Sequence, residues 1–205
     1  MDKCSASPVP MQKGDKFNLM QCPKKVLRYL QGTKNHMFTY RKSDHLKVIG
    51  YTDFAGCVDT RKSTFGYVYL LAGGAISWKS AKQSVIAAST MEAEFVACFE
   101  ATIQANWLRN FISGLRVVES ISKPLKIYCD NSAAAFFSKN DKYSKGTKHM
   151  GLKYFVVKEE VQKRRMSIEH ISTNLMIVDP LTKGLPPKLY DSDVKNMGIM
   201  STSEC

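Results

Sequence analysis

The sequence predicts an α/β fold in which helices pack on a mixed β-sheet. Three strand patterns follow one another between residues 46 and 81, and the turn signal Ala72-Gly73-Gly74 joins the last two. Helical and strand patterns then alternate as far as a short helix that opens near Pro180. The order β-β-β-α-β-α-β-α indicates a single sheet with both antiparallel and parallel strands.

The helices are predicted from their start signals and their periodicity. Ser89 and Glu92 form an S-x-x-E capping box ahead of a periodic stretch that runs to Leu115. A second helix begins at about Ser132, and a third spans about residues 149–165. The first two of these helices follow strand patterns and the third precedes one, which is the arrangement expected for helices that cover a sheet.

The charge of the chain is strongly positive. Among 205 residues, 30 Lys and Arg stand against 18 Asp and Glu, which gives a net charge of +12. Such a field favours polyanions, nucleic acid first and an anionic membrane surface second. A basic protein without a specific anionic partner stays open as the alternative.

Neither the cysteines nor the apolar segments predict a structural zinc site or a membrane span. The six cysteines are dispersed and form no C-x-x-C pair, and Cys98 and Cys129 are predicted to be buried thiols in a reducing compartment. No apolar run approaches the roughly 20 residues of a membrane span. The first residues also lack the apolar core of a signal peptide. We therefore expect an intracellular, cytoplasmic protein without a membrane partner.

Three aspartates lie at the ends of predicted elements. Asp53 ends the strand pattern "LKVIGYTD", and Asp130 follows the alternating strand "LKIYC". Asp179 precedes Pro180 and is predicted to be a helix N-cap, with Asn131 and Ser132 in a similar role behind Asp130. Simple turn or capping roles would explain each aspartate by itself.

A fourth carboxylate, Glu94, is predicted to be buried. Winding the helix at 100° per residue places it on an apolar strip. The other members of that strip are Cys98, Ala101, Ala105, Leu108 and Ile112. A buried carboxylate needs a cationic partner, and four clustered carboxylates repel one another without one. Hard oxygen ligands suit Mg²⁺ or Mn²⁺, so the sequence predicts a site for one of these metals. Two such ions at one site can hold a phosphate between them.

From about Leu27 to Pro187 the chain resembles the ribonuclease H domain of copia-type retrotransposon Pol polyproteins in their plant-like form. The resemblance rests on seven ordered motifs: "RYLQGTK", "GYTDFAGC", "RKSTFGYVYLLAGGAISWKS", "STMEAEF", "LKIYCDNSAA", "GTKHMGLKYF" and "HISTNLMIVDPLTKGLPP". It implies a ribonuclease H-like fold, a five-stranded mixed sheet in the order 3-2-1-4-5 with helices on both faces.

The same resemblance implies an activity and its partners. These are endonucleolytic cleavage of the RNA strand of RNA–DNA hybrids with two Mg²⁺ ions, for which Mn²⁺ can substitute. The implied catalytic and metal-binding residues are Asp53, Glu94, Asp130 and Asp179. Besides the hybrid, the implied partner is the rest of a Pol polyprotein, in a virus-like particle where the element is active. The oligomeric state is not predicted.

The domain boundaries predicted from this resemblance divide the chain into four parts. Residues 1–23 resemble the tail of the family's reverse transcriptase, and residues 24–45 form a connecting segment. Residues 46–187 form the ribonuclease H-like domain, and residues 188–205 form a C-terminal tail. In the family a long connection separates the first two parts, so their abutment near Lys24 predicts a truncated, internally deleted element.

Two local departures from the family pattern affect the site. The motif "TDFAG" is two residues shorter than the usual "DxDFAG", and "KHMG" stands where the family has "KHID". The shortened motif leaves open a second hypothesis, an inactive remnant that only binds nucleic acid. A nuclease or integrase of the same fold that acts on DNA is a third, less favoured hypothesis.

Residues that contact nucleic acid are predicted mainly from charge. Residues 139–165 carry a net charge of +6 and are predicted to contact phosphates, although a solvated helix face is the alternative. Small polar groups suit contacts with 2′-hydroxyls across a minor groove. The residues predicted to contact nucleic acid are Ser63, Thr64, Ser89, Asn131, Lys145, Lys148 and His149.

Trp78 and Trp107, in contrast, are predicted to pack in the core.

Overall fold

The computed structural model describes residues 6–10, 21–41, 48–56, 62–115, 124–139 and 148–203. Residues 21–23 and 148–150 are described by their backbone alone. The strands are β1 His36–Phe38, β2 Ile49–Ala55, β3 Thr64–Leu71, β4 Gly74–Lys82, β5 Leu125–Cys129, β6 Met166–His170 and β7 Ile199–Ser201. The helices are α1 Gln21–Gly32, α2 Thr90–Leu115, α3 Ser132–Lys139, α4 Lys148–Gln162 and α5 Pro187–Asn196, with short 3₁₀ turns at Thr173–Leu175 and Asp179–Leu181.

Five of the strands form the predicted mixed sheet. Their order is β4-β3-β2-β5-β6, in which β2, β3 and β4 are antiparallel neighbours while β5 runs parallel to both β2 and β6. Numbered along the five strands, this is the order 3-2-1-4-5. The ribonuclease H-like fold class is therefore confirmed.

The shortened "TDFAG" motif does not interrupt the central strand. The β2–β3 ladder runs from the pair Ile49–Leu70 to the pair Ala55–Thr64 without a change of register. Side chains in a strand alternate between the two faces, so an unbroken ladder keeps each β2 residue on a defined face. The strand that carries Asp53 is thus continuous up to and beyond that residue.

The larger core lies between the sheet and helices α2, α3 and α4. Alternate residues of β3, Phe65, Tyr67 and Tyr69, pack there against α2 together with Ile127 of β5. Tyr69 is inaccessible to solvent, and its hydroxyl donates a hydrogen bond to the Ala101 carbonyl oxygen. The buried strip predicted for α2 is confirmed, since each of its members is buried.

The other face of the sheet is covered by the chain that follows β6. Val68 of β3 packs there with Met176, Val178 and Met197, which lies just after α5. Gly66 makes this close approach possible, because a Cβ atom at that position would lie 2.8 Å from Thr182 Cγ2. The segment with the Asp179–Leu181 turn therefore lies directly on β3.

Two predicted caps differ in detail from the structure. Ser89 Oγ accepts a hydrogen bond from the Glu92 backbone N–H, as in a capping box, but the Glu92 carboxylate accepts from the N–H of Ala88 instead of Ser89. The prediction that Asp179 is an N-cap is wrong: the cap is Val178, and Asp179 is the first residue of the turn. The Asp179 side chain is thereby left available to the site described below.

The prediction that both tryptophans pack in the core is also wrong. Trp78 is 53% exposed and stacks on Phe38, and Trp107 is 55% exposed and stacks on Phe111. Trp107 lies on the solvent side of α2, where aromatic rings cover each other and not the sheet.

A second, two-stranded sheet joins distant parts of the chain. Strand β1 pairs antiparallel with β7, from His36–Ser201 to Phe38–Ile199. These two strands belong to the predicted connecting segment 24–45 and the predicted tail 188–205, which also contains all but the first residue of α5. The predicted domain boundaries stay a prediction, but both flanking segments contain regular structure and pack next to the larger sheet.

Among the described residues, no helix combines the length and the apolar character needed to span a membrane.

Candidate metal centre

Two of the predicted aspartates lie near the ends of neighbouring strands: Asp53 is within β2, which continues to Ala55, and Asp130 directly follows β5. In the parallel β2–β5 pair, Tyr51 is aligned with Tyr128. Asp53 lies two residues after Tyr51, and Asp130 lies two residues after Tyr128. The pairing of β2 with β5 therefore brings these two side chains to the same edge of the sheet. Asp53 is only 1% exposed, whereas Asp130 is half-buried and thus partly accessible to solvent.

Glu94 approaches these aspartates from helix α2. One carboxylate oxygen of each of Asp53, Glu94 and Asp130 lies within 4.8 Å of the others. Glu94 is fully buried, and neither of its carboxylate oxygens has a hydrogen-bond partner in the described part of the chain. Such an uncompensated buried carboxylate is costly and indicates a cationic ligand.

Burial and mutual repulsion disturb the ionisation of this cluster. Burial raises the pKa of Glu94 well above its ordinary value, and the charge of Asp53 adds to the effect. Burial likewise raises the pKa of Asp53 to about 6, against the opposing effects of Lys183 and a Thr182 hydrogen bond. A divalent cation would reverse these shifts, since it favours the ionised form of every ligand.

Asp179 is connected to the cluster through a lysine. Lys183 Nζ lies 3.1 Å from Asp53 Oδ2 and 3.2 Å from Asp179 Oδ1. Burial raises the pKa of Asp179, and the Lys183 ammonium opposes that change. Burial lowers the pKa of Lys183, but Asp53 and Asp179 together outweigh it and leave that pKa raised. Asp179 thus lies across the ammonium from Asp53 and outside the group of three oxygens described above.

Hydroxyl groups orient two of the carboxylates. Thr182 Oγ1 donates to Asp53 Oδ2, and Thr173 Oγ1 donates to Asp130 Oδ2 at 3.2 Å. Sequence reasoning missed Thr173, Thr182 and Lys183 as site residues. The available signal was the motif "DPLTK", in which Lys183 follows Asp179 by four residues and can therefore share a face of a helical turn.

The residues present fit a hard divalent cation. The three converging side chains offer only carboxylate oxygens, which Mg²⁺ and Mn²⁺ prefer. The oxygens of Glu94 have no other partner among the described residues, and Asp130 is the one member of the three that is partly accessible to solvent.

Two of the residues predicted to bind nucleic acid have structural roles. Ser89 caps α2 as described, and Asn131 Oδ1 accepts a hydrogen bond from the Ala134 N–H at the start of α3. Ser63 is half-buried, and its carbonyl oxygen accepts from the Gln83 N–H, while Thr64 is the first residue of β3. Contacts of these residues with nucleic acid stay predictions.

The basic predicted contacts lie mostly beyond the described side chains. Lys145 falls outside the described residues, and Lys148 and His149 form the first turn of α4, described by backbone only. Further along α4, Lys153 lies over the Phe99 ring and Lys158 over the Tyr154 ring. The predicted phosphate-contacting role of residues 139–165 stays a prediction.

The chain is similar to segments of plant retrotransposon polyproteins. It is 37% identical over 178 residues to the retrovirus-related Pol polyprotein from transposon TNT 1-94 of Nicotiana tabacum, covering 86% of this chain and 13% of that protein. It is 31% identical over 182 residues to the Pol polyprotein from transposon RE1 of Arabidopsis thaliana, covering 88% of this chain and 12% of that protein. The chain therefore spans about an eighth of the length of these relatives.

Two solved structures illustrate the structural similarity. LC11-RNase H1 in complex with an RNA/DNA hybrid matches 66% of this chain and 93% of its own, at 16% identity and a TM-score of 0.49. RNase H1 from Halobacterium salinarum NRC-1 matches 71% of this chain and 98% of its own, at 15% identity and a TM-score of 0.49. No protein-family model matches the sequence. The strand order of the sheet and the identity to the plant proteins lead to one conclusion: this chain is a homologue of plant copia-type retrotransposon Pol polyproteins and has the ribonuclease H-like fold.

Proposed function

We propose that this chain is a divalent-metal-dependent ribonuclease H that cleaves the RNA strand of RNA–DNA hybrids. The observation that carries the proposal is the convergence of Asp53, Glu94 and Asp130, with the buried Glu94 carboxylate lacking a described hydrogen-bond partner. Asp179 is the fourth carboxylate, held next to Asp53 by Lys183. The natural ion is Mg²⁺, bound as a pair, and Mn²⁺ substitutes for it.

The chain's own residues position the ions and the substrate. Sheet pairing fixes Asp53 and Asp130, helix α2 fixes Glu94, and Thr182 and Thr173 orient the two aspartates. When bound, a metal pair stabilises charge on a scissile phosphate and lowers the pKa of the attacking water. Asp130 is the half-buried member of the cluster, so we expect a phosphate to approach the ions on its side.

The charge of the chain and its relatives support an RNA–DNA hybrid as the substrate. A net charge of +12, half of it in residues 139–165, supports binding of a polyanion through its phosphates. The relatives are Pol polyproteins of retrotransposons, and LC11-RNase H1 was solved with an RNA/DNA hybrid. We infer that the hybrid is the substrate here and that the rest of a Pol polyprotein is the natural context.

The test is cleavage of an RNA–DNA hybrid whose RNA strand is end-labelled, with Mg²⁺, with Mn²⁺ and with EDTA. We expect metal-dependent cutting of the RNA strand that Asp130→Asn abolishes. Asp191→Asn is the matched control, because it removes an exposed carboxylate of α5 that pairs with Lys195. Cutting that persists in Asp130→Asn would contradict the proposed site.

The second candidate function is a remnant that binds hybrid without cutting it. The observation that favours it is the Lys183 ammonium between Asp53 and Asp179, where it supplies positive charge without a metal. Hybrid binding, measured by fluorescence anisotropy, distinguishes the candidates. A folded protein that binds hybrid but does not cut it in Mg²⁺ or Mn²⁺ is the remnant.

A further inference from the structure

We propose that Glu94, Cys98 and Cys129 form a second metal site, selective for a thiophilic divalent ion such as Zn²⁺. One ligand atom of each of these residues, a carboxylate oxygen and two sulfur atoms, lies within 4.8 Å of the others. The dispersed cysteine pattern gave no sign of such a site, because 31 positions separate the two cysteines and only the fold brings them together.

The site is built by one helix face and one strand end. Glu94 and Cys98 are four residues apart on α2, so their side chains lie one above the other on the same face. Cys129 is the last residue of β5, directly beneath α2 and next to Asp130 in the chain. All three side chains are fully buried, and the two cysteines are free thiols.

The Glu94 carboxylate indicates that the two cysteines do more than fill space in the core. Buried thiols alone are ordinary small apolar groups. Here, however, they face a fully buried carboxylate whose two oxygens have no hydrogen-bond partner within the described ranges. Cys129 Sγ donates a weak hydrogen bond to the Asn131 carbonyl oxygen at 3.5 Å, and it accepts one from Cys98. A bound metal ion would replace both thiol hydrogen bonds, since it binds the deprotonated sulfurs.

The spacing suits zinc better than magnesium. In a tetrahedral zinc site with bonds of about 2.0–2.3 Å, ligand atoms lie roughly 3.3–3.8 Å apart. Atoms within 4.8 Å of one another reach that spacing by small side-chain rotations. Thiolate ligands select Zn²⁺ over Mg²⁺, which requires oxygen ligands. Asp130, which follows Cys129 directly in the chain, or a water molecule can supply the fourth ligand.

The two sites share Glu94, so they are antagonistic. A Zn²⁺ ion bound to the two thiolates draws the Glu94 carboxylate away from Asp53 and Asp130 and places a second dication next to the Mg²⁺ ligands. This consequence alone rests on the proposed ribonuclease function. Binding at the thiols is independent of it and is tested without activity.

The binding test uses Cd²⁺ as a spectroscopic probe for Zn²⁺. Titration of the reduced, metal-free protein should produce an ultraviolet thiolate-to-Cd²⁺ charge-transfer band that saturates at one equivalent. Zn²⁺ should displace the Cd²⁺, and millimolar Mg²⁺ should not. We expect Cys98→Ser to abolish this tight phase, and Cys57→Ser, a thiol elsewhere in the sequence, to retain it.

Glu94→Gln tests the contribution of the carboxylate with little change of shape. We expect Zn²⁺ affinity to fall at least about tenfold, since even outer hydrogen-bonding partners of metal ligands change affinity by about 10–100-fold. Near-ultraviolet circular dichroism verifies that each variant is folded, and Cys98→Ala replaces Cys98→Ser if the serine variant is not.

Two results would overturn the proposed zinc site. One is a charge-transfer band that still saturates at one equivalent of Cd²⁺ in folded Cys98→Ser or Cys98→Ala, and the other is the absence of this band from the wild-type protein. Inhibition of hybrid cleavage by one equivalent of Zn²⁺, relieved in the Cys98 variants, would support the antagonism. If the wild-type protein shows the charge-transfer band but cleaves no hybrid in Mg²⁺ or Mn²⁺, the proposed function is refuted and the proposed zinc site is supported.

Discussion

The ammonium nitrogen of Lys183 lies 3.1 Å from Asp53 Oδ2, so the most buried aspartate of the site is paired with a cation from the same chain. The same nitrogen lies 3.2 Å from Asp179 Oδ1. Lys183 is one-third exposed, whereas Asp53 is nearly inaccessible, so the lysine extends inward from the surface. The metal-free protein therefore carries an internal counterion at this site.

Replacing Lys183 by Met should destabilise the metal-free protein and increase its response to Mg²⁺. The substitution leaves Asp53 buried without its cation, at a cost of about 1–2 kcal/mol after allowing for the partial exposure of Lys183. Thermal unfolding with and without Mg²⁺ measures both effects. The control is Lys188→Met, which removes an exposed lysine of α5. A smaller Mg²⁺-induced rise in Tm in Lys183→Met than in the wild type would show that the ammonium does not compete with the metal.

Replacing Asp193 by Asn should stabilise the protein at neutral pH and not at acidic pH. Burial raises the pKa of Asp193 to about 6 from an ordinary value of 3.8, and Asp179 adds to the effect. Because the folded-state pKa is the higher one, the favourable contribution is present below about pH 4 and is lost as the pH rises through 6.

The measurement for Asp193 is Tm as a function of pH from 4 to 8. We expect the wild type to lose more stability than Asp193→Asn across the window between 4 and 6. Asp191→Asn, on the same helix, is the control for removal of a charge from an exposed position. Parallel pH profiles for the wild type and Asp193→Asn would contradict this assignment.

Replacing Gly66 by Ala should lower stability through overpacking. A Cβ atom there would lie 2.8 Å from Thr182 Cγ2 and 3.1 Å from Leu181 Cβ, so the turn that holds Lys183 must move away from β3. We expect a loss of about 1–3 kcal/mol in chemical denaturation. Gly56→Ala is the matched control, because a Cβ there meets no described atom within 4 Å. Equal stability of the two variants would mean that the turn adapts without cost.

Replacing a buried aromatic residue of α2 should reduce stability much more than replacing an exposed aromatic residue of the same helix. Phe95 is fully buried against Phe137, so Phe95→Ala should cost about 3–5 kcal/mol. Trp107 is more than half exposed, and Trp107→Lys should cost less than about 1 kcal/mol. Urea denaturation compares the two variants directly. A large loss in Trp107→Lys would mean that the Trp107–Phe111 stack supports the helix.

Periodicity predicted the structure better than residue type did. The winding that places Glu94 on the buried strip also places Trp107 about 140° away from that strip, on the solvent side. The prediction that Trp107 is buried came from its aromatic character, which describes burial only on average. The strands of the main sheet were recognised because alternation reports which side chains face the core.

The contacts of the site could be predicted only in part. The sequence predicts Asp53 and Asp130 as site residues because each lies at the end of a recognisable strand pattern, and the parallel pairing of those strands brings them together. The contact between Lys183 and Asp53 joins residues 130 positions apart. It depends on how the turn at Asp179–Leu181 packs over Gly66, which no local pattern encodes.

The pairing of β1 with β7 determines how the molecule responds to force. Because the strands are antiparallel, the chain entering His36 and the chain leaving Ser201 depart from the same end of the ladder. Tension applied between His36 and Ser201 breaks the hydrogen bonds of one residue pair at a time. It does not load all the hydrogen bonds of the ladder together in shear. We therefore expect this small sheet to open first and at low force, before the five-stranded sheet and the carboxylates attached to it are disturbed.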